Sequence, residues 1–182
     1  DGNAGALTTY FGKERDSDEY KLRGVEARRR STPPFVADCQ RGWLDALDDG
    51  GPEAVVDALK RDLAALRRGT VDPAHLAITR RVSKPAGEYS RETRAVAALR
   101  RYGAHGVERH PGQSVEYVVV DDDADGRQRV RLTFENDSDY DVDHYADRLV
   151  RAAETVLSPF GWDRGRVERA LRETRDLTLS SF

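Results

Sequence analysis

The hexapeptide TRRVSK, residues 79–84, places two hydroxyls and three cations within six positions. Guanidinium, ammonium and hydroxyl groups are the usual ligands of phosphate oxygens, so Thr79, Arg80, Arg81, Ser83 and Lys84 are candidate phosphate contacts. A second cluster, RHPGQS at 109–114, joins Arg109 to a Pro-Gly turn around Gly112, whose exposed backbone N–H groups could face an anion. A third sets Arg28, Arg29 and Arg30 in a row before Ser31, Thr32, Pro33 and Pro34. Three adjacent guanidinium groups repel one another, so an anion or open water must compensate. Each cluster alone is more often a solvated surface than a binding site. Three of them, separated by apolar elements, point to a polyanion.

Other chemistries find less support. NDSDYDVD sets Asp137, Asp139, Asp141 and Asp143 at alternate positions. A calcium loop of the EF-hand type needs glycine at its sixth position and glutamate at its twelfth. Here those positions hold Val142 and Arg148, so a solvated acidic loop is expected, and the same holds for Asp121, Asp122 and Asp123. His75, His105, His110 and His144 lack metal-ligand spacing and have no serine or cysteine nucleophile as an evident partner. Cys39 falls on an apolar helical stripe and is expected to be a packed thiol. No phosphate-binding G-x-x-x-x-G-K-[ST] loop is present. No catalytic residue, metal site or cofactor is therefore expected in this chain.

Composition narrows the classes further. The 182 residues suit one domain, or one domain plus part of another. They are 38% hydrophobic and 35% charged, enough for a core under a strongly charged surface. No apolar run approaches the roughly 18 residues of a membrane span, and no secretory signal opens the chain. A cytoplasmic protein without a membrane partner is expected. One cysteine rules out an internal disulfide. Methionine is absent, which suggests a chain that begins inside a larger protein. The net charge of −3 hides segregation: residues 60–115 carry 12 basic against 5 acidic side chains, and 116–147 carry 3 against 11. That distribution predicts a basic face with an acidic region behind it.

The elements that must position these groups can be read from periodicity. LTTYFG and YKLRGVEARR have strand composition and flank the polar turn KERDSDE. Phe35, Val36, Cys39, Trp43, Leu44 and Leu47 recur at helical spacing after Pro33, with Thr32 as the expected N-cap. DDGG at 48–51 breaks that helix; Pro52 opens another with Val55, Val56, Leu59, Leu63 and Leu66 on one stripe and Gly69 as its stop. HLAITRRVS reads as a short strand. Residues 93–102 read as a helix with Val96, Leu99 and Tyr102 on one side and Arg91, Arg94, Arg100 and Arg101 free on the other. Residues 114–120 and 127–134 form an expected hairpin turning at Asp125 and Gly126. Two helices, near 142–159 and 163–174, complete an α+β chain.

RGVEARRRSTPPFV, LAITRRVSKPAGEYSRETRAVAALRR and GVERHPGQSVEYVVV, in this order and spacing, resemble the carboxy-terminal part of archaeal family B DNA polymerases. The resemblance runs from about residue 7 to the end. It implies the end of the palm domain over 1–31, a short strand pair, followed by a mostly helical thumb with a small β-hairpin over 32–182. It also implies roles. Tyr10 matches the tyrosine of a Lys-x-Tyr motif near the primer end. Arg23, with Gly24 and Glu26, falls in the last palm strand, and Arg28, Arg29 and Arg30 fall at the palm–thumb junction. Thr79, Arg80, Arg81, Ser83, Lys84, Tyr89 and Thr93 match the thumb segment that follows the duplex backbone, and Arg109 and Gly112 match its turn. At the end of the chain Asp176, Leu179 and Phe182 fall at the first, fourth and seventh positions of a sliding-clamp-binding peptide, residues 176–182.

The resemblance also has gaps. Thr8 and Thr9 stand where the family has lysines. The family's metal-binding aspartates lie upstream of this chain, with the fingers. The implied function is therefore to grip primer–template duplex DNA for an active site elsewhere, with Mg²⁺ serving the full polymerase and the chain inactive by itself. The implied partners are duplex DNA, the upstream palm and fingers, and a sliding clamp. The alternatives are a stand-alone, non-enzymatic DNA-binding protein and a clamp-interaction module, each derived from a polymerase thumb.

Overall fold

The computed structural model describes residues 10–13, 20–23, 30–135 and 139–179, with only the backbone of the first two segments and of 173–179. The expected strand pair is present: β1 (Tyr10–Lys13) runs antiparallel to β2 (Tyr20–Arg23), with Tyr10 directly opposite Arg23. A helical unit, α1 (Pro34–Arg67), follows. It begins at Pro34 with Pro33 in the N-cap position and no side-chain cap, so Thr32 is not the cap. Proline fits there because the first helical N–H groups have no intrahelical acceptor. Gly51, at φ 71° and ψ −166°, divides α1 into the two helices expected from the apolar stripes. The break is confined to Gly51; Asp48, Asp49 and Gly50 remain helical. Gly69, at φ 68°, ends the second half as expected.

β3 (Ile78–Arg81), β4 (Ser114–Val119) and β5 (Val130–Leu132) form an antiparallel sheet in that order. The expected hairpin is therefore two strands of a three-stranded sheet. Its second strand is shorter than predicted because Gly126–Arg129 form a 3-10 turn. Between β3 and β4 lies α2 (Arg94–Ala104), with Thr93 as N-cap. Helices α3 (Val142–Leu157) and α4 (Arg164–Leu179) complete the chain.

Helix α2 covers β4 and β5, and α3 packs along α1. The core joins Trp43, Leu44, Leu59 and Leu66 of α1 to Ile78, Val118 and Leu132 of the sheet and Leu149 and Val156 of α3. Two buried polar contacts fix the layers. Gln40, fully buried in α1, donates through Nε2 to the Ala152 carbonyl at 3.1 Å. The buried Tyr145 hydroxyl accepts the Val119 N–H at 2.9 Å, tying α3 to β4. Tyr145→Phe should cost about 1–3 kcal/mol, since it leaves that N–H without its acceptor. Chemical denaturation measures this; an unchanged midpoint would show the hydroxyl to be dispensable.

Candidate nucleic-acid interface

The β3 strand carries the first cluster to the surface. Ile78 is buried and faces Tyr117 in the ladder, while Thr79, Arg80 and Arg81 pair with Glu116, Val115 and Ser114. Side chains alternate along a strand, so Arg80 shares the Ile78 face and lies against the Tyr117 hydroxyl. Arg81 emerges on the other face, at the strand end. Thr79, Arg80 and Arg81 line a cleft of about 360 Å³ together with Arg30, Ser31, Gly112 and Ser114. Three sequence-distant clusters thus meet in one place. No acidic side chain lines this cleft, and among the described residues neither Arg80 nor Arg81 has a carboxylate partner.

The Pro-Gly turn serves this cleft differently from expectation. Its N–H groups are not offered to an anion. The Gly112 N–H donates to the Val82 carbonyl at 2.7 Å, the Gln113 N–H to the His110 carbonyl at 3.0 Å, and the His110 N–H to the Gln113 Oε1 at 2.8 Å. Proline has no N–H. Gly112 matters for its shape: φ is 94°, and a Cβ there would sit 3.3 Å from Arg81 Nη2. Only glycine adopts this backbone without strain while letting the Arg81 guanidinium lie across the turn.

Ser83 and Lys84 occupy an exposed loop folded around Tyr89. The Tyr89 hydroxyl accepts the Ser83 N–H at 2.9 Å and the Lys84 N–H at 3.1 Å, with the Ser83 hydroxyl at 3.4 Å. The Ser83 hydroxyl, followed by these backbone donors, holds the phenol below its ordinary pKa. Tyr89 therefore shapes the Lys84 loop. Thr93 caps α2, its hydroxyl accepting the Val96 N–H at 3.4 Å. Arg109 stands apart from the cleft, its guanidinium 4.5 Å from the Tyr102 ring centroid. Tyr10 and Arg23 are cross-strand neighbours. Asp176 and Leu179 lie in the last turn of α4, and Arg28, Arg29 and Phe182 lie outside the described residues.

A second cleft, of about 580 Å³, adjoins the first and was not anticipated from the sequence. Ser31 and Arg80 line both. Its other walls are Thr32, Val36, Arg94, Asp122, His144, Asp147, Arg148 and Arg151. Asp122 is the hub. Arg94 grips its carboxylate with two donors, one at 2.6 Å, and Arg129 Nη2 donates to Oδ1 at 2.7 Å. These guanidinium groups, Arg94 first, hold the Asp122 carboxyl well below the usual carboxylate range despite partial burial. Its backbone N–H donates to Asp141 Oδ2 at 2.7 Å, while Asp141 Oδ1 caps α3 at the His144 N–H. The expectation of a solvated acidic loop is therefore wrong for Asp122 and Asp141. Nor are the arginines of α2 all free: Arg94 binds Asp122, Arg100 binds Glu92 at 2.8 Å, and Arg101 binds Glu135 at 2.8 Å.

His144 is buried at the base of this cleft. Arg148 Nε donates to its Nε2 at 3.0 Å, which makes Nε2 an acceptor. The ring proton consequently sits on Nδ1, 3.3 Å from Asp122 Oδ2. Burial first, then the charges of Arg148 and Arg94, lower the imidazole pKa against the opposing pull of Asp122. The neutral ring is thus the folded form near pH 7. The i, i+4 spacing of His144 and Arg148 was visible in the sequence, but nothing there brought them opposite Arg80.

The family described as DNA polymerase family B matches residues 7–160. A DNA polymerase of Pyrococcus glycovorans is 29% identical over 148 residues, covering 79% of this chain and 19% of that protein. A DNA polymerase of Thermococcus kodakarensis is 28% identical over 167 residues, covering 88% of this chain and 10% of that one. The chain thus spans a fifth or less of these relatives. Among solved structures, the family B DNA polymerase of the hyperthermophilic archaeon Pyrobaculum calidifontis superposes with a TM-score of 0.68 at 21% identity, over 83% of this chain and 20% of that one.

Proposed function

The chain belongs to DNA polymerase family B, and from that membership we propose that residues 1–31 end a palm domain and residues 32–182 are a thumb that grips the primer–template duplex. The observation that carries this reading is the cleft in which Arg30, Thr79, Arg80, Arg81 and Gly112 converge. Two cations without carboxylate partners, beside a threonine hydroxyl, are a ready acceptor for a phosphodiester. The lining offers no apolar slot for a base, so the contact is to the backbone and reads no sequence.

The catalytic centre of the whole enzyme belongs, on this reading, to the palm and fingers outside this chain. Magnesium would serve that centre. Among the described residues no three histidine, cysteine or carboxylate side chains gather to hold a metal ion, so no step of nucleotidyl transfer is assigned to these residues. The isolated chain, given primer–template, nucleotides and magnesium, should bind duplex and extend no primer. Extension that survives rigorous purification would overturn this assignment.

Salt dependence tests the grip itself. Each phosphate neutralised contributes roughly −0.9 to the slope of log affinity against log salt. Lys84 stands exposed on the Tyr89-braced loop, with no ion-pair partner among the described residues. Lys84→Ala should flatten the slope by about one such increment and weaken all duplex sequences alike. Intact binding with an unchanged slope would remove Lys84 from the interface.

A further inference from the structure

The second cleft holds a cation, Arg148, that forms no ion pair with a carboxylate among the described residues. Arg148 is partly buried, and its one hydrogen bond among the described residues goes to the neutral ring of His144. Burial disfavours its charge, and so do the neighbouring guanidinium groups of Arg94 and Arg80. The other arginines of the cleft differ. Arg94 is matched by Asp122, and Arg151 is matched by Asp147 at 2.8 Å. Arg148 and Arg80 line the same cleft, each raising the local positive charge, and neither forms an ion pair with a carboxylate among the described residues. A guanidinium withdrawn from water ordinarily has an anion beside it. The space is large enough for a phosphate group, and it runs into the first cleft through Arg80 and Ser31.

We propose that this cleft is a phosphate-binding site centred on Arg148 and Arg80, and that an oxyanion entering it draws Arg148 off the His144 ring, which takes up a proton from solvent in exchange. Assigning the phosphate to nucleic acid rests on the function proposed above; the site itself rests on Arg148. The exchange follows from the hydrogen bonds. Nε2 of His144 cannot be protonated while the Arg148 Nε–H points at it. Once Arg148 turns to an oxyanion, Nε2 is free and a negative charge stands nearby. The charged groups around the ring then favour imidazolium more than before. Asp122 faces Nδ1, Asp141 caps the same helix, and Asp147 lies on the next position of α3, bound by Arg151 and by Arg164 at 2.6 Å. Arg94 on α2 and Arg129 oppose them, two guanidinium groups sharing the one carboxylate of Asp122, so it is the oxyanion that tips the balance. Arg80 on β3 opposes too until the oxyanion matches it. Tyr117 on β4 and Tyr145 on α3 stay neutral, their phenols pushed up by burial.

Calorimetric titration of the full chain with a blunt duplex, and separately with sulfate, an oxyanion that does not titrate in this range, at pH 6.5 in two buffers of different ionisation enthalpy counts the protons taken up by the protein. The unsubstituted chain should take up a fraction of a proton on binding, and His144→Gln should bind while taking up none. Arg148→Gln should bind duplex about tenfold more weakly, with a salt slope flatter by about 0.9. Arg148→Lys, which keeps the charge, should restore the slope, and its unfolding curve shows whether the fold is intact. Duplex binding with unchanged affinity, slope and proton count in Arg148→Gln overturns the site and leaves the duplex grip standing. Binding of sulfate with proton uptake, but no duplex binding, keeps the site and overturns the nucleic-acid assignment. No response to either ligand overturns both.

Discussion

Replacing Arg80 and Arg81 together by alanine should weaken duplex binding by roughly 30-fold near 0.1 M salt and flatten the salt slope by nearly 2. The size follows from geometry. Arg80 lines both clefts, so its loss interrupts the only cationic link between them among the described residues. Arg81 lies across the Gly112 turn, which aims its guanidinium into the first cleft. Among the described residues neither is engaged by a carboxylate, so unfolding should shift by no more than about 0.5 kcal/mol. Fluorescence anisotropy of a labelled duplex over a salt series gives both quantities. A double variant that binds within twofold of the unsubstituted chain would place the duplex elsewhere on the molecule.

The second large effect concerns stability. Asp122→Ala should destabilise the fold by about 2–3 kcal/mol, because it strands Arg94, Arg129 and the Nδ1 proton of His144 in a partly buried setting that water still reaches. Asp123→Ala, one residue on and exposed, should change stability by less than about 0.5 kcal/mol. The signs of the pKa shifts add a pH signature. The folded-state pKa of His144 lies below its ordinary value near 6.5, so its contribution is complete above about that pH and is lost as pH falls through the folded value. Asp122 is depressed as well, and Glu135 is brought down to about 2: burial opposes the shift, but Arg101, the Leu132 N–H and His105 together outweigh it. Their contributions are complete above the ordinary carboxylate range, near pH 4, and fall away below it. Stability should therefore decline on acidification first below about pH 6.5 and again below about pH 4. Denaturant midpoints across pH 3–8 report both stages. Asp122→Ala should shrink the second; an equal loss below pH 4 in variant and parent would remove Asp122 from this role.

Much of the fold was open to reading from local pattern alone. The apolar stripes from Phe35 to Leu66 located both halves of α1, and Gly51 and Gly69 marked its break and its end. Val96, Leu99 and Tyr102 located α2, and Thr93 its cap. These features depend on neighbours a few residues apart, where backbone dihedrals and helical periodicity decide. The errors have two causes. Pro33 rather than Thr32 occupies the N-cap of α1, and two N–H groups of the Pro-Gly turn are spent on bonds within the turn, both local details that composition does not fix. The Gly112 bond to Val82 and the role of Asp122 as a hub depend on what lies opposite in space.

The same division holds for the site. The residue types of TRRVSK, RHPGQS and the arginine triplet set the expectation of a polyanion ligand, since guanidinium and hydroxyl groups are the usual partners of phosphate oxygens. The tertiary structure decided which of them act together. It brought Arg30, Thr79, Arg80, Arg81 and Gly112 into one cleft and turned Arg109 onto Tyr102. It neutralised Arg94 and Arg101 with acids 28 and 34 residues away, and among the described residues it gave Arg80 and Arg148 no carboxylate partner. Whether a charged side chain is matched or left over depends on electrostatic attraction, which acts over ångströms in space rather than along the chain.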